Sequence, residues 1–298
     1  MRQPTRETVA GAIYHDLRSL ARRQRRATDQ VFQLYLLERF LYRLSRSAYR
    51  DRLVLKGGAL LAAYELRRQT RDIDLQANRL DNNEEAMAGL IREIAETSIE
   101  EDDGIRFDLD TLSTSVIREG DRYAGIRVHL GASLARARLI LNLDVSFGDP
   151  ISPGPAEITY PALRQQPFTL VGYPLSTVVA EKVASMLQLG DANTRERDFG
   201  DVYRIASFHT MDARELWNAF QSTARYRGIA PRPLADVLTE LPVRRQSSWE
   251  RWRTRSGLEE LPSSFEQVVA GVVRFVDPVL SRSVTSGAWD AVDQRWLS

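Results

Sequence analysis

The sequence of 298 residues contains no cysteine and only two lysines, Lys56 and Lys182, among its 41 basic residues. The lack of cysteine excludes disulfide bonds and thiolate metal sites. No apolar run approaches the roughly 18 to 20 residues that cross a bilayer, since even the run 268–276 is short and includes Arg274. The first residues also lack a charged segment leading into an apolar core. We therefore expect no membrane span and a cytoplasmic location.

Neither sign of charge predominates over the whole chain, whose formal net charge is +1. Residues 1–50 depart from this balance, with eleven arginines against four acidic residues. Such a local excess suits a partner that carries phosphates. Arginine is used at 39 of the 41 basic positions, so the two lysines mark places where a compact ammonium group is needed, or they fall there by chance.

The residue pattern changes at a stretch rich in proline and glycine, residues 148–174. Before it the spacing of apolar residues predicts alternating helices and strands, and after it mainly helices. The predicted helices are 5–24, 28–47, 59–67, 82–97, 176–189, one capped by Asn193, 211–223 and 263–279. The predicted strands are 52–55, 72–77, 105–109, 111–118, 123–130, 137–147 and 157–160. The prediction is therefore an α+β protein with a mixed-sheet lobe over residues 1–165 and a mostly helical lobe over 166–298.

The strongest local pattern is Gly57-Gly58, which is followed after thirteen residues by Asp72-Ile73-Asp74. The two glycines lie in a predicted strand–turn–helix segment, where the backbone can approach a phosphate closely. Alternation along a strand places Asp72 and Asp74 on one face, where two carboxylates can hold a divalent metal. Asp108-Leu109-Asp110 repeats the acidic spacing without any glycine turn before it. The spacing alone is therefore not specific, and an ordinary turn followed by exposed acids is an equal alternative.

Asp144 is the candidate third carboxylate of this site. In 139–147 the leucines, Val145 and Phe147 alternate with a more polar face that carries Asp144. Three carboxylates beside a triphosphate are the groups needed for nucleotidyl transfer with two metal ions. A solvated Asp144 is the alternative.

The segment LKGGALLAAYELRRQTRDIDL, residues 55–75, resembles the signature of the AbiEii/AbiGii toxin family. These nucleotidyltransferase toxins include the MenT group and belong to the polymerase-β-like superfamily. A second segment, residues 174–205, is similar to the later motifs of the family, with Ala-Glu-Lys on one helix and Arg-Asp-Phe-x-Asp on the next. The resemblance covers about 50–205 and implies a polymerase-β-like nucleotidyltransferase lobe.

The resemblance also implies roles for individual residues. Asp72 and Asp74 would bind Mg²⁺, or Mn²⁺ in its place, with Asp144 as a looser third assignment. Lys182 would contact the nucleotide phosphates, and Asp198 would be the acidic residue of the last motif. The residues expected to hold the NTP in the first lobe are Lys56, Gly57, Gly58, Arg68 and Thr70. Without the resemblance, Lys182 would be a lysine that snorkels along a partly apolar helix face, and Asp198 would belong to a surface ion pair.

By the same resemblance, the protein would be the toxin of a toxin–antitoxin pair. It would transfer a nucleoside monophosphate to the 3′ end of tRNA and so block aminoacylation and growth. Its partners would be the tRNA acceptor end and a cognate antitoxin, which in some relatives is a kinase acting beside the first acidic motif; Thr70 is the hydroxyl there. The alternatives are a small-molecule nucleotidyltransferase of the aminoglycoside type and a non-catalytic module of the same fold.

Two basic segments are candidates for contact with RNA. The first is the run Arg22, Arg23, Arg25 and Arg26. The second is 244–255, in which arginines interleave with Trp249 and Trp252, as suits an RNA backbone with exposed bases. The alternative for the second segment is that the tryptophans pack in the helical lobe.

Overall fold

The computed structural model describes residues 3–119 and 123–297. It divides into two compact units. The first unit comprises Met1–Gly148 and Ala156–Gly172, and the second comprises Asp149–Pro155 and Tyr173–Ser298. The sequence prediction divided the chain at residues 165 and 166, before the strand Phe168–Gly172. That strand belongs to the first unit because it pairs in register with Ala156–Tyr160.

The first unit contains four α-helices and a mixed sheet of seven strands among its described residues. The helices are α1 (Val9–Arg23), α2 (Thr28–Arg46), α3 (Gly57–Leu60) and α4 (Glu84–Glu96). The strands are β1 (Leu53–Lys56), β2 (Asp72–Ala77), β3 (Ile105–Glu119), β4 (Tyr123–Leu134), β5 (Ala137–Phe147), β6 (Ala156–Tyr160) and β7 (Phe168–Gly172). Their order across the sheet is β3-β4-β5-β2-β1-β7-β6.

The centre of this sheet is mixed in direction. Strand β2 runs parallel to β5 and antiparallel to β1, while β1 runs parallel to β7. One face is apolar, since Ile73, Leu75, Leu141, Leu143 and Val145 are buried. The residues between them are polar and less buried, as period-two alternation requires. The sheet therefore presents one polar face at its centre.

The second unit is mostly helical. Its helices are α5 (Leu175–Leu189), α6 (Glu196–Phe208), α7 (Ala213–Arg227), α8 (Leu241–Ser256) and α9 (Phe265–Leu280), and its strands β8 (Ala288–Asp290) and β9 (Arg295–Leu297) form a hairpin. Within residues 3–119 and 123–297, no helix combines the length and apolar character that crossing a membrane requires.

Several local predictions from the sequence differ from the structure. The helix predicted over 59–67 is a single α-turn, α3, followed by a 3₁₀ turn that ends at Tyr64, because Glu65 adopts a left-handed conformation with φ of 60°. Asn193 does not cap α6. Its side chain accepts a hydrogen bond from the Arg195 amide, and the helix begins at Glu196. Strand β7, helix α8 and the hairpin β8–β9 are additional to the prediction.

Candidate active site

Gly57 lies directly against the carboxylate of Asp74. Strand β1 ends at Lys56, whose Cα pairs with that of Asp74 across the antiparallel ladder. Gly57 then turns the chain with φ of +66°. A Cβ atom at this position would lie only 1.9 Å from Asp74 Oδ2. Both the backbone angle and the close approach therefore require glycine here, and the chain packs its backbone onto an acidic group.

Gly58 makes the second close approach. A Cβ atom on Gly58 would lie 3.0 Å from both terminal nitrogens of Arg68 and from Thr70 Oγ1. Thr70 in turn donates a hydrogen bond of 3.0 Å to Asp72 Oδ1. Arg68 and Thr70 are both buried. The glycine turn and the Arg-x-Thr-x-Asp-x-Asp segment are thus one packed assembly, although residues 65–71 form no regular element.

Asp144 lies beside the acidic pair; the strand alternation predicts its polar face but not the strand next to it. Strands β2 and β5 are parallel, with Asp74 in register with Asp144. The Asp144 carboxylate is engaged by Arg127 on β4, which donates from Nε to Oδ1 at 2.8 Å and from Nη2 to Oδ2 at 2.7 Å. These hydrogen bonds, with the charges of Asp144, Asp72 and Asp74, raise the pKa of the Arg127 guanidinium above its usual value.

Arg127 is a site residue that sequence reasoning missed. The pattern in β4 was visible, because Arg127 and His129 alternate with the buried residues Ile126, Val128 and Leu130. The antiparallel register that pairs Arg127 with Asp144 could not be read from one strand alone. The polar face therefore contains a cation next to its carboxylates.

The residues of this face fit a divalent cation in part. Asp72 and Asp74 share one face of β2, and carboxylate oxygens are the ligands that Mg²⁺ prefers, usually one or two per site together with substrate phosphates. Asp144 differs, since both of its oxygens accept hydrogen bonds from Arg127. Across the described ranges 3–119 and 123–297, no group of three or more His, Cys, Asp or Glu side chains is arranged to hold a metal. The geometry thus supports the two-carboxylate part of the predicted site.

The second unit contains a separate charged cluster. Lys182 on α5 donates to Asp198 Oδ1 at 2.6 Å and to Asp201 Oδ2 at 2.9 Å. Both aspartates lie on α6, three residues apart and therefore on neighbouring positions of the helix surface. The cluster is buried, and the Asp201 side chain has no exposed surface. Lys182 and Asp198 are therefore not a snorkelling lysine and a surface ion pair, and Asp201 joins them.

The two basic segments have different environments. Arg22, Arg23 and Arg25 are exposed at the end of α1, whereas Arg26 is partly buried. In 244–255, Trp249 is fully buried and stacks on Phe265 with ring centroids 5.3 Å apart. That tryptophan belongs to the core of the second unit, so it does not offer a face to an RNA base.

The fold and the sequence match known proteins. Residues 39–271 match the model of the family described as nucleotidyl transferase AbiEii toxin, type IV TA system. Among solved structures, JHP933 from Helicobacter pylori has a TM-score of 0.50 and 14% identity, over 84% of this chain and 94% of that one. A further H. pylori structure, provisionally assigned as a nucleotidyltransferase, has a TM-score of 0.49 and 13% identity, over 83% and 96%. No curated protein sequence gives a significant match.

Proposed function

Since this chain belongs to the AbiEii nucleotidyl transferase toxin family of type IV toxin–antitoxin systems, we propose that it transfers a nucleoside monophosphate from an NTP to the 3′ end of tRNA. The consequence would be a block of aminoacylation and growth. The observation that carries the proposal is the close approach of Gly57 to Asp74, which brings the glycine turn next to a carboxylate that we propose binds the metal.

Asp72 and Asp74 would hold the divalent cation, Mg²⁺ or Mn²⁺. When bound, the cation neutralises triphosphate charge and makes the acceptor hydroxyl easier to deprotonate. The hydrogen bond from Thr70 fixes the orientation of the Asp72 carboxylate. Gly57 and Gly58 let the backbone pack against Asp74 and against Arg68 and Thr70, and Lys56 and Arg68 would supply positive charge to the triphosphate.

The reaction would be an in-line displacement. The hydroxyl oxygen of the acceptor forms a bond to the α-phosphorus, the bond from that phosphorus to the bridging oxygen breaks, and pyrophosphate leaves. The hydroxyl proton passes to solvent. In the second unit, Lys182 is assigned to the nucleotide phosphates and Asp198 to the orientation of that lysine, a role supported by their hydrogen bond of 2.6 Å.

The direct test is incubation of the purified protein with total tRNA and each labelled NTP in turn. We expect label in tRNA with one or more NTPs and stoichiometric pyrophosphate release. Label in an aminoglycoside but not in tRNA would indicate a small-molecule enzyme instead. Absence of pyrophosphate with every NTP and acceptor would indicate a non-catalytic module.

The exposed arginines at the end of α1 test the RNA part of the proposal. Charge reversal at Arg22, Arg23 and Arg25 should weaken tRNA binding and reduce its dependence on salt, with NTP binding unchanged. Reversal of three exposed arginines of the second unit, Arg214, Arg225 and Arg232, provides a matched control. Equal losses in the two triple variants would contradict a specific RNA surface at α1.

Control of the toxin would come from its antitoxin. Phosphate on Thr70 would add about −1.5 to −2 charge next to Asp72 and would remove the hydrogen bond that Thr70 donates. Thr70 is 9% exposed, so a kinase could reach it only if residues 65–71 opened. Mass spectrometry of the protein after co-expression with its antitoxin tests this; an unmodified Thr70 in a silenced toxin would contradict it.

A further inference from the structure

The polar face of the first unit's sheet continues beyond the acidic pair onto β5 and β4. Asn142 on β5 is in register with Asp72 on β2, and His129 on β4 is in register with Asn142. Adjacent strands are roughly 4.8 Å apart, so the row from Asp72 to His129 spans about 10 Å. His129 is exposed and Asn142 is half-buried, so both side chains can contact a molecule that also reaches Asp72.

The row beyond Asp72 offers hydrogen-bonding groups of both kinds. His129 Nδ1 lies 2.6 Å from Asn142 Oδ1. Because an amide oxygen only accepts, His129 Nδ1 donates, and the other nitrogen of the neutral imidazole, Nε2, is an acceptor. Asn142 Nδ2 provides donors beside it. A donor next to an acceptor matches the polar edge of a nucleobase, whereas a phosphodiester presents acceptors only.

An exposed apolar side chain lies next to this pair. Ile140 precedes Asn142 by two residues on β5, so period-two alternation places it on the same face. Its side chain is 57% exposed, and its register partner on β4 is Gly131, which has no side chain to cover it. Unpaired bases are bound by packing of their faces and by hydrogen bonds to their edges. The surface formed by Ile140, Asn142 and His129 provides both kinds of contact.

The order of the strands decides which substrate this surface would serve. Strand β2 lies between β1 and β5, so Lys56 at the end of β1 and Asn142 on β5 are on opposite sides of the acidic pair. An in-line displacement needs the attacking hydroxyl and the leaving pyrophosphate on opposite sides of the α-phosphorus. With the triphosphate beside Lys56 and Arg68, as proposed above, the attacking hydroxyl must approach from the side of β5 and β4.

We propose that Ile140, Asn142 and His129 bind the 3′-terminal nucleoside of the acceptor RNA. Its base packs on Ile140, and the polar edge of the base accepts from Asn142 Nδ2 and donates to His129 Nε2. The ribose that carries the attacking hydroxyl then lies on the side of the acidic strand. The assignment rests on the transfer to RNA proposed above, to which it adds an acceptor-binding surface.

Steady-state kinetics of His129→Ala and Asn142→Ala test the proposal. We expect each substitution to raise the KM for tRNA by about tenfold and to leave the KM for NTP unchanged, since each removes hydrogen bonds to the acceptor only. Thr159→Ala is the control, because Thr159 is an exposed hydroxyl on β6, on the other side of the glycine turn. It should change neither value. A rise in the KM for NTP instead would place the NTP base on this surface and overturn the proposal.

A binding measurement without NTP separates this surface from the transfer reaction. Fluorescence titration compares intact tRNA with tRNA that lacks its 3′-terminal nucleotide. The shortened tRNA should bind the wild type about tenfold more weakly, but should lose less than about twofold with the double variant His129→Ala and Asn142→Ala, which has already lost the contact. Equal losses in the two proteins, or no tRNA binding to the wild type, would overturn the proposal. The expected difference without label in any RNA would support the surface and refute the transfer reaction.

Discussion

The candidate site aspartates of the two units differ in burial and in their surroundings. In the first unit, Asp72, Asp74 and Asp144 lie side by side on the polar face of a sheet, and Arg127 donates to both oxygens of Asp144. In the second, Asp198 and Asp201 are buried around Lys182 at 2.6 and 2.9 Å. The first arrangement lies on a partly exposed strand face, whereas the second surrounds a buried lysine.

This difference shows that the chain accommodates neighbouring carboxylates either by partial exposure to solvent or by burial around a lysine. Two buried aspartates on one helix turn would repel each other and would be costly to desolvate, so the second unit needs a lysine between them. Carboxylates on a partly exposed strand face stay hydrated and can exchange water for a metal. The comparison therefore predicts separate consequences for activity and for stability.

Removal of an acid from β2 should have the largest effect on activity and little on folding. Asp74→Ala should lower nucleotidyl transfer by about 10⁴-fold if, as proposed, these carboxylates hold the metal that stabilises the charge on the transferred group. Asp108→Ala and Asp110→Ala are matched controls, because this exposed acidic pair on β3 repeats the spacing without a glycine turn. Transfer assays and thermal unfolding measure both properties, and near-normal transfer in Asp74→Ala would refute the site.

Replacement of Lys182 should reduce both activity and stability. Lys182→Ala leaves two buried carboxylates without their cation, and we expect the free energy of unfolding to fall by about 3 to 5 kcal/mol. Lys182→Arg keeps the positive charge and should restore part of the stability. The restoration should be incomplete, because a planar fork replaces a compact ammonium group. Urea unfolding measures this change.

A triple variant separates the two roles of the lysine. Lys182→Met with Asp198→Asn and Asp201→Asn removes all three charges, so it should regain most of the stability that Lys182→Ala loses. If the lysine contacts nucleotide phosphates, transfer stays low in this variant. Recovery of transfer together with stability would show that the cluster is structural only.

Much of the first unit could be predicted from sequence because its signals are local. Strand β2 was predicted with its observed ends, and the alternation in β5 placed Asp144 on the polar face. The glycine turn was located correctly, but the direct contact of Gly57 with Asp74 depends on the pairing of β1 with β2. Such pairings join residues far apart in the chain and leave no periodic signal in either strand.

The features that the sequence did not predict also depend on contacts between residues distant in the chain. Strand β7 follows a proline-rich stretch that indicates loops, and only its pairing with β6 and β1 makes it a strand. Trp249 interleaves with arginines in the sequence, yet its ring is buried against Phe265 while the neighbouring Arg244 is exposed. Composition alone could not distinguish an aromatic core position from an RNA-binding surface.

Glu38 tests what burial costs a carboxylate whose neighbouring cation, Arg39 Nε, lies 4.0 Å away and donates no hydrogen bond to it. Its native pKa is about 7, raised mainly by burial, against 4.5 for an ordinary glutamate. Between these values the native state binds more protons than the unfolded state, so stability falls as pH rises, by up to about 3 kcal/mol. Glu38→Gln should remove that loss, becoming more stable relative to the wild type at pH 8 than at pH 5.

Urea unfolding at the two pH values measures the difference for Glu38→Gln, and Glu85→Gln on an exposed position of α4 is the control. Parallel pH dependence in the wild type and Glu38→Gln would show that Glu38 is charged in the native state throughout. In that case the contrast with Asp201, which has Lys182 at 2.9 Å, would lose its energetic basis.

Substitution of Arg127 should have the smallest effect, but it tests the comparison most specifically. Its two hydrogen bonds make Asp144 resemble the aspartates of the second unit, with a cation already in place. Arg127→Gln removes that cation and frees the Asp144 carboxylate beside Asp74. Since affinity for divalent cations rises with the number of available carboxylates, the Mg²⁺ concentration for half-maximal transfer should fall by about tenfold. Direct titration with Mn²⁺ should give the same shift without a transfer assay, and Arg138→Gln at an exposed position of β5 should leave both values unchanged. An unchanged Mg²⁺ requirement in Arg127→Gln would mean that Asp144 takes no part in metal binding and that the pair only joins β4 to β5.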